Sequence, residues 1–294
     1  MQKIVPHLWF DTEALEAANF YTTLFDESKV NWTIIVKDTP SGDSEQLSFT
    51  LAGLEFFAIS AGPLFTFNPS ISLAVQCETV EEVERLWEKL IDRGHALMEL
   101  GQYPFSERYG WLADRYGLSW QLIHVTEPIK QKIIPSLLFV KEQHGNAEAA
   151  INHYVSTFKN SSIGKLEYYG EEMGEEYIGK LTLSTFELEG LQMTAMDGGA
   201  SLHDFAFNEA ISLMVYCENQ EEIDYYWEKL SAVPEAEECG WLKDQFGVSW
   251  QIAPRELNKL LLSEDEEATQ RVVEAFLKMK KMNIAELRRA FADK

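Results

Sequence analysis

Hydrophobic residues change period along this chain in an ordered way. From Ile4 to Phe10 they run as in a strand, after which Ala14, Ala17, Ala18, Tyr21 and Phe25 recur at helical spacing. Three strand-like segments follow, Val30–Val36, Gln46–Leu51 and Leu54–Ser60, separated by the turn formers Pro40, Ser41 and Gly42 and then by Gly53. The order is βαβββ. A second cycle opens with a strand over Ile71–Cys77 and continues in a helix from Val80 to Ile91, whose Val83, Leu86, Trp87 and Leu90 form an apolar stripe. It closes with strands around Gly110 and Gly117.

The whole pattern then repeats. Ile71–Leu90 reappears as Ile211–Leu230 with 12 of 20 positions identical at an offset of 140, and the GWLxDxxGxSWQ block from Gly110 reappears from Gly240 at an offset of 130. The offset falls by ten because the first copy carries a longer connection, Gly94–Tyr109, than the second has over Ser231–Cys239. The starts correspond as well, pairing Pro6 with Pro135 and Tyr21 with Tyr154. Two domains of two βαβββ units each are therefore predicted, over 1–126 and 133–254, joined by the charged, proline-bearing stretch Glu127–Lys132. A helical tail is expected over 255–294, with Ser263 and Glu266 as a capping box, an apolar stripe of Val272, Val273, Phe276 and Leu277, and Asn283 with Glu286 capping a last short helix.

Composition narrows the function classes. At 294 residues and 46% apolar content the chain can fill two cores, and no apolar run approaches the roughly 20 residues of a membrane helix. The start, Gln2-Lys3-Ile4, leads directly into a strand without the regions of a secretory signal, which predicts a cytoplasmic location. Cys77, Cys217 and Cys239 are odd in number and lack CxxC spacing, which argues against disulfides and zinc ribbons. A net charge of −23 argues against nucleic acid and anionic membranes as partners.

The paired blocks ISLxVxCE with a WEKL helix, and GWLxDxxGxSWQ at each domain's end, resemble the glyoxalase or vicinal oxygen chelate superfamily. Within it they resemble the PhnB-like proteins often labelled 3-demethylubiquinone-9 3-methyltransferase. The resemblance implies an α+β fold of two tandem glyoxalase-like domains, in which pairs of βαβββ units form open, cupped sheets around a pocket, plus the tail. Where relatives pair two short chains to complete their cups, a fused pair implies a monomer with an internal pseudo-twofold, or a homodimer. The methyltransferase label finds no support in the residues, since no glycine-rich strand-to-helix turn suited to S-adenosylmethionine is present.

Type enzymes of the superfamily hold a divalent metal with His, Gln or Glu side chains on strands. Carried across, those positions fall on His7, Ala58, Ser72 and Gln121 in the first copy and on Ser136, Thr194, Ser212 and Gln251 in the second, with Glu55 a substitute if the register slips. Any metal is thus expected on His7 and Gln121, short of the three protein ligands a catalytic ion normally takes. No cofactor is predicted.

The ligand pocket is expected to draw on His7, Trp9, Ser72, Trp111, Trp120, Gln121, Ser136, Ser212, Cys239, Trp241, Trp250 and Gln251. His7 reads first as a pocket or core histidine hydrogen-bonded to its surroundings, ahead of a ligand or general base, and the tryptophans read first as core. Asp114 and Asp244, before glycine turns, read as turn caps. Cys239, opposite Tyr109 of the other copy, has no base in sight to make it a nucleophile. Three functions compete: a metal-free module binding a small apolar or aromatic molecule, a metal-dependent lyase, isomerase or dioxygenase, and an interaction platform using the tail.

Overall fold

The computed structural model describes residues 2–293 and contains the four expected units in order. The first is β1 (Ile4–Phe10), α1 (Ala14–Thr22), β2 (Lys29–Thr39), β3 (Gly42–Leu51) and β4 (Leu54–Ser60). The second is β5 (Ile71–Cys77), α2 (Val80–Leu90), β6 (His95–Tyr103), β7 (Ser106–Ala113) and β8 (Ser119–His124). The third is β9 (Ile133–Phe139), α3 (Ala147–Thr157), β10 (Ser161–Tyr168), β11 (Leu181–Leu188) and β12 (Leu191–Asp197). The fourth is β13 (Ile211–Cys217), α4 (Gln220–Leu230), β14 (Trp241–Lys243) and β15 (Ser249–Pro254), followed by α5 (Leu257–Leu261), α6 (Glu266–Phe276) and α7 (Ile284–Ala292). Among the described residues no helix is long and apolar enough to cross a membrane.

The units pair across the repeat. One sheet runs β14-β15-β13-β1-β4-β3-β2 and joins the first unit to the fourth; the other runs β10-β11-β12-β9-β5-β8-β7-β6 and joins the third to the second. The seams are antiparallel, His7 lying opposite Ser212 in one and Ser72 opposite Ser136 in the other. The connections that carry the chain between sheets clasp each other, Asn68 Nδ2 donating to Ala206 O at 3.0 Å and Asn208 Nδ2 to Thr66 O at 2.8 Å. Each asparagine also accepts from the backbone two residues on, at Ser70 and Ala210, which fixes both crossings in the same turn.

Alternation along the strands divides each sheet into two faces. Ile4, Leu8 and Phe10 of β1 point toward the helices, whereas Val5, His7 and Trp9 point to the opposite, concave side. The helix-facing side chains of both sheets join in one continuous core. The helices begin where sequence chemistry dictates. Thr79 Oγ1 accepts from Glu82 N at 3.1 Å and Asn219 Oδ1 from Glu222 N at 2.9 Å, while each glutamate bonds back to residue 78 or 218.

A buried knot ties the two sheets within each repeat. Asp114 Oδ2 accepts from Tyr21 Oη at 2.7 Å and from Trp120 Nε1 at 2.9 Å, while its Oδ1 accepts from the backbone of Tyr116 and Leu118. Asp244 repeats this with Tyr154, Trp250, Phe246 and Val248. The turn cap expected of these aspartates is thus half of their work. Burial raises the pKa of each carboxyl, and the four donors pull it part of the way back. Trp120 and Trp250, counted above among pocket residues, belong to these knots: they sit on the helix-facing side of the last strands, fully buried.

The fourth unit has no counterpart of β6, which the shortened 231–239 connection has removed. The tail takes its place. Cys239 N donates to Met279 O at 2.8 Å and Gly240 N to Lys280 O at 2.7 Å, so the stretch after α6 satisfies the edge that β6 covers beside Tyr109 in the other sheet. The tail's apolar residues Val272, Val273, Phe276, Met282 and Leu287 are buried in the common core. Helix α6 is capped by Asp265, whose side chain accepts from Ala268 N at 2.9 Å, rather than by Ser263; α7 is capped by Asn283 as expected.

Tyr21→Phe and Tyr154→Phe each leave a buried carboxylate one donor short. Each is expected to lower unfolding free energy by about 1–3 kcal/mol, read from the urea midpoint at unchanged slope. A change within the error of the midpoint in both variants would show that the knots do not hold the sheets.

Candidate functional site

Cross-repeat pairing decides which side chains meet. The concave face of the seven-stranded sheet brings His7 and Trp9 of β1 together with Phe57 and Ile59 of β4, Met214 of β13, Gln251 of β15, and Cys239 and Trp241 from the opposite edge. They wall a cavity of 360 Å³, roofed by Leu257, Leu261, Phe276, Leu277 and Met282 of the tail. The volume lies near the lower end of the roughly 300–1,000 Å³ typical of small-molecule sites.

His7 is the polar centre of this cavity. It is 5% exposed and packs edge-on against Trp241, with ring centroids 5.3 Å apart, and its Nδ1 has no hydrogen-bond partner among the described residues. Burial lowers its pKa from 6.5 to about 3, so the ring is neutral. Gln251 lies beside it, Nε2 donating to Ser212 Oγ at 3.0 Å. Cys239 is half-buried, its thiol is pushed up to about 11 by burial, and its Sγ donates to Leu277 O at 3.7 Å. It is a protonated wall residue without an activating base.

The equivalent place in the eight-stranded sheet carries a hydrogen-bonded relay. Tyr109, the counterpart of Cys239, donates its hydroxyl to Gln121 Oε1 at 2.8 Å, and Gln121 Nε2 donates to Ser72 Oγ at 2.6 Å. Trp111 is tied to Ser119 Oγ at 2.8 Å, and Ser136 stands where the first sheet has His7. The amide that borders the cavity in one cup is locked at both ends in the other. A second recess, of 320 Å³, lies further along that sheet between Gln76, Lys130, Thr185, Glu187 and Gln192, and neither Tyr109 nor Gln121 lines it.

Of the pocket residues expected from sequence, His7, Trp9, Cys239, Trp241 and Gln251 line the cavity, and Ser212 supports it. Ser72, Trp111, Gln121 and Ser136 occupy the other cup. The pair named for a metal, His7 and Gln121, is therefore not brought together: the two lie on different sheets. A second correction concerns register. Phe57, not Ala58, lies beside His7 on the concave face, as Thr194 lies beside Ser136. Glu55 falls one row further on, where it accepts from Ser48 Oγ at 2.9 Å.

Sequence reasoning missed the tail residues of the roof. The signal was present in the ten-residue shortening, which leaves a sheet edge and an apolar face that a later segment must cover.

The superfamily's divalent metal does not fit these donors. The row that would carry ligands offers one imidazole and one amide in the first cup, and an amide and serines in the second. No cluster of three His, Cys, Asp or Glu exists among the described residues. S-adenosylmethionine fits no better, because the turn from β1 into α1 is Asp11-Thr12-Glu13 and that from β5 into α2 is Glu78-Thr79, without a glycine cradle.

Paired βαβββ units, crossed sheets and a recess on the concave face define a glyoxalase-fold protein in which both halves of each cup come from one chain. The family model described as 3-demethylubiquinone-9 3-methyltransferase matches residues 2–123 and 131–253. The chain belongs to that family, in tandem duplicate. A PhnB protein from Bacillus cereus bearing the same methyltransferase name is 43% identical over 42% of this chain and 100% of its own, with a TM-score of 0.40. Glyoxalase I from Zea mays is 12% identical yet covers 89% of this chain and 98% of its own at a TM-score of 0.54, a likeness of fold. No curated protein matches the chain.

The neutral, buried His7 makes stability depend on pH with a definite sign. Between 6.5 and about 3 the folded state holds fewer protons at this site than the unfolded chain. Its contribution is thus fully present above 6.5 and is lost as pH falls toward about 3. His7→Phe is expected to flatten the loss of stability between about pH 7 and about pH 4 relative to the unmodified protein. Parallel denaturation series at both ends check this, and identical slopes would show that His7 titrates normally.

Proposed function

We propose that this chain binds a small apolar or aromatic molecule in the cup of the seven-stranded sheet, without a metal. The observation that carries the reading is the unpartnered Nδ1 of a buried histidine in a largely apolar cavity. Burying such an atom unbonded costs about 1–3 kcal/mol, and a ligand's hydroxyl, carbonyl or amine would remove the penalty. The other cup supports the reading by contrast. There Tyr109 donates to Gln121, so that amide is already bonded at both ends by the protein itself. The interaction-platform reading has weaker support, because the tail's apolar residues are directed into its own chain.

Naphthylmethanol serves as a probe of the cavity, since Trp9 and Trp241 report on it by fluorescence. Stoichiometric quenching is expected, together with a rise in melting temperature as ligand increases. Cys239→Tyr, which copies Tyr109 into the open cup, is expected to abolish binding while leaving the fold intact by circular dichroism. His7→Phe is expected to weaken binding about tenfold, the loss of one buried hydrogen bond. Undiminished binding in the Cys239→Tyr variant would place the ligand elsewhere. Thermal stabilisation by Ni²⁺, Zn²⁺, Mn²⁺ or Fe²⁺ that is lost in His7→Phe would favour the metal-dependent reading instead.

A further inference from the structure

Resting on the reading of this cavity as a ligand site, we infer that its ligand is an organic cation, a protonated or quaternary amine on an apolar body. Two independent features of the wall carry this. The first is sign of charge. Among the residues lining the cavity there is no lysine or arginine, and the charged ones are Glu209, Glu235 and Glu238. Glu209 is neutralised by Lys243 at 2.8 Å, and the nearby Lys280 sits beside Glu237 at 3.5 Å. Glu235 and Glu238 are exposed and make no ion pair among the described residues, so two carboxylates stand where the cavity meets solvent.

The second feature is ring geometry. Trp9 meets Phe65 at 81° with centroids 5.0 Å apart, and meets Trp241 at 73° and 6.1 Å. Trp9 thus stands nearly at right angles to two neighbouring rings in the cavity wall, and an electron-rich ring face there attracts an ammonium group. The neutral ring of His7 adds no opposing charge. An anion entering here would meet two carboxylates and π-faces with no cation to compensate it. A cation would gain from both, in a chain whose net charge of −23 already concentrates cations near its surface.

Three compounds with one apolar body separate the possibilities: naphthylmethanol, naphthylmethyltrimethylammonium and naphthylacetate. Titrated at low salt, the cation is expected to bind at least about tenfold more tightly than the anion, with the alcohol between them. Glu235→Gln with Glu238→Gln, both at exposed positions, is expected to narrow that gap severalfold without changing the affinity of the alcohol. The unchanged alcohol reports an intact fold. Equal binding of all three compounds, or a preference for the acetate, would overturn the charge assignment while leaving the ligand site standing. Binding of none would remove the ligand site and this assignment with it. A cation preference that survives the double substitution at full size would overturn the role given to the two carboxylates.

Discussion

The antiparallel seam between the first strand of one repeat and the second-unit strand of the other decides what this protein can do. Because His7 lies opposite Ser212, the concave face of the seven-stranded sheet is assembled from residues more than 200 positions apart in sequence, whereas the other seam joins Ser72 to Ser136. Had β1 paired with β5 instead, His7 would face Gln121, and the cup would have been built from a single repeat. The seam itself is ordinary backbone pairing. Its direction is held by the knots, since Tyr21 rides on a helix over one sheet while its partners Asp114 and Trp120 belong to the other. A buried carboxylate with four donors admits little slack, so the unit that supplies the tyrosine and the unit that supplies the aspartate are fixed on separate sheets.

Given a symmetrical frame, the two cups have diverged at few positions, and each change has a physical consequence. Replacing Tyr109 with Cys239 removes a ring and a hydroxyl, which opens space and leaves the neighbouring glutamine with only its bond to serine. Replacing Ser136 with His7 puts a heteroaromatic ring into that space. Losing the counterpart of β6 uncovers the edge, and the tail returns to close it with two backbone hydrogen bonds and a roof of apolar side chains. Small size at Cys239, a polar centre at His7 and a roof from the tail act together, because any one without the others would leave either a filled site or an open, wet face.

Local structure was legible in the sequence because local rules govern it: periodicity marked the units, and the SWQ blocks marked the strand ends. Pairing between units was not legible, since β1 carries the same alternation whether its neighbour is β5 or β13. The expected metal pair failed for this reason and for no fault in the parity of either residue. The register error at Ala58 has a similar root, as a single-residue slip reverses which face a side chain takes, and Phe57 and Ala58 are both apolar. Trp120 and Trp250 were misplaced because a tryptophan beside a conspicuous glutamine suggests a shared pocket, whereas alternation sends neighbours to opposite faces. Their true partners, Asp114 and Asp244, stood six residues upstream in the same motif.

Stability alone would favour filling the cavity, because unfilled volume in a core costs roughly 24 cal/mol for each Å³ of an unrelaxed void. The chain contains a larger side chain at the matching place, since Tyr109 occupies it in the other cup beside the matching serine and glutamine. The tail roofs the cup of the seven-stranded sheet with some forty further residues, yet its centre stays open despite the energetic cost of the space. The orphaned nitrogen of His7 points the same way. A leucine there would complete an apolar core, and a serine is what the second repeat carries, yet the first repeat keeps a buried ring with an unmet hydrogen bond. Cavity and histidine are each destabilising when empty, and the proposed ligand would relieve both at once.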